Sequence, residues 1–404
     1  LNVSENATVL GSISTSELNN IRFANSFTGA DAGAKIAAAI ADLPSTGGTV
    51  DARGLEGAQT SASNPFSGVT KPVTLQLGHV TFILAAPWVL PSNVTIEGSG
   101  WSSVLQMPSV AGAASIIHIL NASNVKVLNL QLDGTGMSAT TADSHTLRIV
   151  NSSNVEVSGC FIQNSPEDLI RIGPSTGTGA GQKIRITNNY FHNAGVVGPS
   201  GSAVGTDDVS DLVISDNIVD TVSLTGFDIE PVGAGAVGSY VVISNNVLNG
   251  VTSNGSGIQV WNTAGGTSAH VVISNNTVRG FPGGTGINLR GVIGAVVSSN
   301  IVEASVYGLR AIDTSNGTFT GNWLKSNTTG INIDGATSTG NQFTGNVIWS
   351  STTGFTEVNT ASANKVLGNK FVANTANFGT LSATTIAEYD DANGGIQFIT
   401  PGQT

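Results

Sequence analysis

The sequence predicts an all-β solenoid, a single right-handed parallel β-helix with an N-terminal capping helix. Two recurring strings point there. One is a short run of alternating apolar residues that ends in asparagine, and the other is a second alternating run that follows it in each repeat. Composition agrees: 51 glycines and only 10% charged residues in 404 suit many short strands joined by tight turns.

The first string reads KIRITNN, LVISDN, VVISNN twice, AVVSSN, GTFTGN, NQFTGN and NKVLGN. It closes on Asn189, Asn217, Asn246, Asn276, Asn300, Asn322, Asn346 and Asn369, spaced 22 to 30 residues apart. Strict alternation marks a strand with one buried face. A repeat near 22 residues holds three short strands and three turns, one full coil, and no coil buries its apolar face without its neighbours. Stacked asparagines can ladder their amides between coils, and asparagine tolerates the left-handed backbone of a tight corner. Upstream, NVKVLNL and NVEVSGC put Leu130 and Cys160 in the asparagine column, and NVTIEGS around Ser99 reads as an earlier coil. Cys160, the one cysteine, suits an interior turn as a small buried hydrophobe.

The ends differ. Residues 1–45 carry Ala30–Leu43, an Ala-rich amphipathic stretch stopped by Pro44, which reads as a helix capping the first coil. The β-helix spans 46–372, and 373–404 form a C-terminal cap or tail. No apolar run approaches the ~20 residues of a membrane span. No charged segment leading into an apolar core opens the chain, so a signal peptide is absent or removed. The net charge of −11 and the lack of a basic stripe argue against a nucleic-acid partner. A polar, lysine-poor composition points to a secreted, periplasmic or cell-surface protein.

GGTVDARGLEG (47–57), the helix before it and the asparagine-rich coils resemble the pectate-lyase-like β-helix superfamily of bacterial and phage proteins, over residues 28–370. That resemblance implies a carbohydrate ligand. It does not choose among lyases, hydrolases, epimerases, fructan-cyclising transferases, tailspikes and adhesins, all of which share the fold. Spike-like members are trimers, and a homo-oligomer is left open. The polygalacturonases of the superfamily carry an Asn-Thr-Asp strand, an Asp-Asp pair, a Gly-His-Gly and an Arg-Ile-Lys. Here GFDIE and TDD stand in reversed order, and the last two strings are missing.

The second string gives the functional face. GFDIE, GIQVW, GINLR, GLRAI and GINID, with IHIL, LRIV and IRIG upstream, each point the residue between two apolar ones outward. One outward column then reads His118, Arg148, Arg171, Asp228, Gln259, Asn288, Arg310, Asn332. A second, two residues on, holds Glu230, Trp261, Arg290 and Asp334. SAVGTDD is expected to set Asp207 or Asp208 near the Asp228 row.

Glycosidic cleavage needs one carboxylic acid to protonate the leaving oxygen and a second carboxylate to activate water or attack the sugar. Asp228 and Glu230, about 7 Å apart along a strand, fit that pair, with Asp207 or Asp208 assisting. Crowding lifts one carboxyl so that an acid and a base coexist. Trp261 offers a flat face to a sugar ring. Arg148, Arg171, Arg290, His118, Gln259 and Asn288 are candidate substrate contacts, the arginines for hydroxyls or a uronate carboxylate.

The bland alternatives are surface ion pairs of Asp228 and Glu230 with Arg171 and Arg290, turn roles for Asp207 and Asp208, Trp261 packed under a loop, and structural roles for His118 and His145. No cofactor string is present, although the acidic cluster is of the kind that binds calcium. The leading expectation is a glycoside hydrolase or transglycosylase acting on a polysaccharide or oligosaccharide. A polysaccharide lyase or uronate epimerase with Arg148 or Arg171 as base comes next, since Lys126 and Lys183 fall in the other strand row. A non-catalytic carbohydrate-binding or adhesive β-helix is the third reading.

Overall fold

The structure, a computed structural model, describes residues 20–108, 115–138, 144–173, 181–197, 201–231, 237–250, 255–262, 267–390 and 396–399. Among them the strands form a twelve-stranded sheet and a twenty-nine-stranded sheet. The pairing is parallel from coil to coil, so the chain is the all-β parallel solenoid that its repeats predict. Alternation does the sorting. In Ser256–Trp261 the residues Ile258 and Val260 are fully buried while Gln259 and Trp261 are not. Successive coils repeat this and stack their apolar residues into one continuous core, including Phe319 and Phe343 with ring centroids 4.5 Å apart.

The asparagine column forms a buried amide ladder. Each Oδ1 accepts two bonds from the preceding coil's asparagine, one from its backbone N–H and one from its side-chain amide. Asn276 Oδ1, for example, lies 3.0 Å from Asn246 N and 2.9 Å from Asn246 Nδ2. The free amide hydrogen reaches a core-strand carbonyl, as Asn276 Nδ2 does at Ile243. The series continues to Asn369. At its start Cys160 N–H donates to Asn189 Oδ1, and burial pushes the Cys160 thiol up to about 12.

One detail corrects the sequence reading and a second extends it. The left-handed residue at this corner is the one before the ladder: Asn188, Asp216, Asn245 and Asn275 have positive φ, and the ladder asparagines do not. In the earlier coil the column position belongs to Ser103. Gln131 pairs with Val104, because Ser99–Ser102 bulge out as an extra turn.

The helix runs Ala32–Asp42. Asp31 caps it by accepting from Ala34 N–H at 2.8 Å, and Ile36, Ala39 and Ile40 face the core. At the other end, parallel pairing continues past residue 372. Ala376–Phe378 pairs with Thr353–Glu357, and Ile386–Asp390 pairs with Lys365–Val372 before meeting Ile396–Ile399 in an antiparallel hairpin. No helix among the described residues is long and apolar enough to cross a membrane.

Candidate active site

The twelve-stranded sheet carries the predicted outward columns. Its register pairs His118 with Arg148, Arg148 with Arg171, Arg171 with Gly205, Gly205 with Asp228, Asp228 with Gln259 and Gln259 with Asn288. The column continues to Arg310 and Asn332. Asp207 therefore lies beside Glu230, and Gly205, not an aspartate, fills the row of Asp228. Asp208 is one residue past the strand's end, in a left-handed conformation (φ 48°), with its N–H donating to the Glu230 carbonyl. It stands at the edge of the cluster and out of both columns.

Gly205 makes the site's central gap. A Cβ there would lie 2.7 Å from Asp168 Oδ2 and 2.9 Å from Arg171 Nη1. The missing side chain is replaced by those two groups, which fold over the strand next to Asp228. Arg171 reaches both neighbours, with Nη1 3.3 Å from Asp168 Oδ2 and Nη2 2.6 Å from Asp207 Oδ2. Asp168 is anchored by Ser202 N–H at 2.8 Å. Behind it, His145 is buried with its ring nitrogens 3.8 Å from Glu167 and Asp168, and Glu167 accepts from Ser144 N–H. Glu167 and Asp168 are the residues that the alternation rule misses. They occupy a bend before Ile170–Ile172, but the sequence carries a signal, since two acids stand four and three residues before the outward Arg171 in PEDLIRIG in a chain poor in charge.

Electrostatics follow from this packing. Burial, then the negative charges of Glu230 and Asp168, push the Asp228 carboxyl up to about 8, against the opposing pull of the Gln259 hydrogen bond and Arg171. Burial also raises Glu230, only partly offset by Arg171, with Asp207 and Asp168 adding to the rise. Asp207 is raised by burial although Arg171 works the other way. For Arg171, burial favours loss of the proton, but Asp168 and Asp207 outweigh it and hold the guanidinium above its usual range. At neutral pH the cluster therefore keeps a proton on a carboxyl while retaining a fixed guanidinium. Among the described residues no group of three or more His, Cys, Asp or Glu side chains is arranged to hold a metal ion.

Several predicted substrate contacts are engaged within the protein. Asn288 Nδ2 and Ser256 Oγ both donate to Gln259 Oε1 at 3.2 Å, and Gln259 Nε2 donates to Asp228 Oδ1 at 3.0 Å. This chain fixes the orientation of Asp228. Arg290 lies over Trp261 with Cζ 4.7 Å from the ring centroid, so one face of the indole is covered by a cation. His118 and Arg148 are four and three coils from Asp228, roughly 19 and 14 Å at the strand spacing. They line the groove at a distance from the carboxylates. Lys126 and Lys183 belong to the other sheet, as the sequence indicates.

The family model for a right-handed β-helix region matches residues 232–371. No curated protein matches the chain. Among solved structures it is similar to the A-module of the mannuronan C-5 epimerase AlgE6 of Azotobacter vinelandii, with a TM-score of 0.60 and 15% identity over 90% of this chain and 97% of that one. It is also similar to a hyperthermoactive exopolygalacturonase of Thermotoga maritima (0.52, 12%, 94% of each chain) and to PfbA, a surface adhesin of Streptococcus pneumoniae (0.57, 15%, 94% and 100%). These likenesses establish the right-handed parallel β-helix; the named roles range from enzyme to adhesin.

Proposed function

We propose that this protein is a carbohydrate-active enzyme that cleaves or transfers glycosidic bonds in the groove over the twelve-stranded sheet. Asp228 is the general acid, and Glu230, with Asp207 beside it, supplies the base or nucleophile. The observation that carries this reading is the pairing of two outward carboxyls on one strand, Asp228 and Glu230, of which burial keeps Asp228 protonated near neutral pH. Gln259 orients Asp228, while Arg171 holds Asp207 and Asp168 in place.

The site favours a neutral sugar chain. Arg171, the cation nearest the reacting groups, is taken up by Asp168 and Asp207, and the remaining carboxylates repel a uronate. The same ion pairs disfavour Arg171 as the base of a lyase or epimerase, because the guanidinium is held charged. The lysine-poor surface and the solenoid fold suit a secreted or cell-surface location, where polysaccharide is met.

Incubation with neutral and uronic polysaccharides, followed by chromatography and ultraviolet absorbance, tests the proposal. Saturated fragments or transfer products from a neutral polymer support it. An unsaturated uronate product would replace it with elimination, and binding with no product would replace it with an adhesive role.

A further inference from the structure

A pocket of about 410 Å³ lies on the twenty-nine-stranded sheet, away from the carboxylate groove, and is lined by Asn154, Lys183, Arg185, Asp211, Val213 and Tyr240. Its rim follows one corner of the coils where the backbone is left-handed. Asn93, Asn124 and Asn154 occupy that corner first, with φ between 53° and 63°, and their amides ladder from coil to coil. Asparagine is the low-cost choice at such φ. The next coils abandon it for Lys183, Asp211, Tyr240 and His270, all with φ of 53° to 58°. Lysine and tyrosine are uncommon in this conformation, whereas aspartate and histidine tolerate it better, and all four are exposed, so core packing does not account for them.

What replaces the ladder is chemically coherent. Tyr240 is 57% exposed and stacks on His270, with centroids 4.8 Å apart and planes 7° from parallel. Lys183 stands two coils before Tyr240 at the same corner, with Asp211 on the coil between, and neither Lys183 nor Arg185 makes an ion pair among the described residues. Two cations without an ion pair, an exposed ring and Asp211 on the coil between Lys183 and Tyr240 form a surface that can hold one anionic group, one ring face and one hydroxyl donor.

We propose that this pocket is a second saccharide site, specific for an acidic sugar: Arg185 and Lys183 take the carboxylate, Tyr240 stacks on the ring, and Asp211 accepts from a hydroxyl. Its preference is the opposite of that of the catalytic groove, and it stands whether or not that groove is catalytic.

Calorimetric titration of the Asp228→Asn protein with tetragalacturonate tests it, with maltotetraose as the neutral control. Tetragalacturonate is expected to bind at one site. Affinity should fall at least tenfold in added Arg185→Ala or Tyr240→Asn variants, and should weaken as salt rises. Maltotetraose binding should not respond to either variant. Tyr240→Asn restores the residue used at the same corner three times upstream, so it preserves the fold, and a thermal melt verifies this. Absence of tetragalacturonate binding overturns the proposal. So does affinity unchanged by both variants, which would place the acidic ligand elsewhere.

Discussion

Arg171 Nη2 lies 2.6 Å from Asp207 Oδ2 on the next coil, while Nη1 of the same guanidinium reaches Asp168. One cation thus ties two buried acids beside the proposed catalytic pair. Breaking a partly buried pair strands the charge left behind. Arg171→Met is expected to destabilise the fold by about 3 kcal/mol, most of it the cost of leaving Asp168 and Asp207 without their cation. Chemical denaturation at pH 7 measures this, and a change under 1 kcal/mol would show that the acids do not depend on Arg171.

Gly205→Ala tests the gap that admits these groups. Its Cβ would meet Asp168 Oδ2 at 2.7 Å and Arg171 Nη1 at 2.9 Å. The pair must shift, so activity should fall about tenfold or more, the cost of disturbing a positioned group. Far-ultraviolet circular dichroism should stay that of the wild type. Unchanged kinetics would mean that the pair moves aside without consequence for Asp228.

The pH dependence of stability has a definite sign. Asp228 and Glu230 have folded-state values above their ordinary ones. From roughly pH 4, where such groups titrate in the unfolded chain, up to about 8, the folded protein holds more protons than the unfolded one. Stability therefore falls as pH rises through that window. Asp228→Asn removes the larger part of that slope. The variant should exceed the wild type in stability by on the order of 1–2 kcal/mol above pH 8 and match it near pH 3. Parallel melting curves across this range would contradict the buried-acid account.

The amide ladder is a second quantity to test. Asn276 makes side-chain bonds to Ile243 O, Ser274 O and Asn300 Oδ1, and accepts two from Asn246. Asn276→Ala leaves several of these buried groups unsatisfied, which should cost about 2–4 kcal/mol. Asn374, half-buried at a different corner of the coils, makes a side-chain bond to Ile348 O and accepts one from Ser351 N–H, and its replacement should cost less. Urea titrations of the two variants give the comparison.

Much of this architecture was legible because side-chain alternation has a period of two and the coils stack in register. The columns His118–Arg148–Arg171 and Asp228–Gln259–Asn288 follow from apolar–polar–apolar triplets alone. What escaped lies where alternation breaks. Ser103 takes the column position of its coil only after a turn at residues 99–102. Glu167 and Asp168 enter from a bend whose direction no period encodes. Gly205 has no side chain to mark its row, so the sequence does not say that Asp207 stands beside Glu230 rather than Asp228. The Trp261–Arg290 stack and the Asn288–Gln259–Asp228 chain join separate coils, and they depend on rotamers rather than on spacing.

The most direct test of the central claim is the pH profile of glycosidic turnover on a neutral polysaccharide, for the wild type and for Asp228→Asn. The account predicts a bell whose alkaline limb falls through about pH 8 as Asp228 loses its proton. It also predicts that Asp228→Asn lowers kcat by about 100-fold or more while KM changes little. Full turnover in that variant, with the alkaline limb intact, would contradict it.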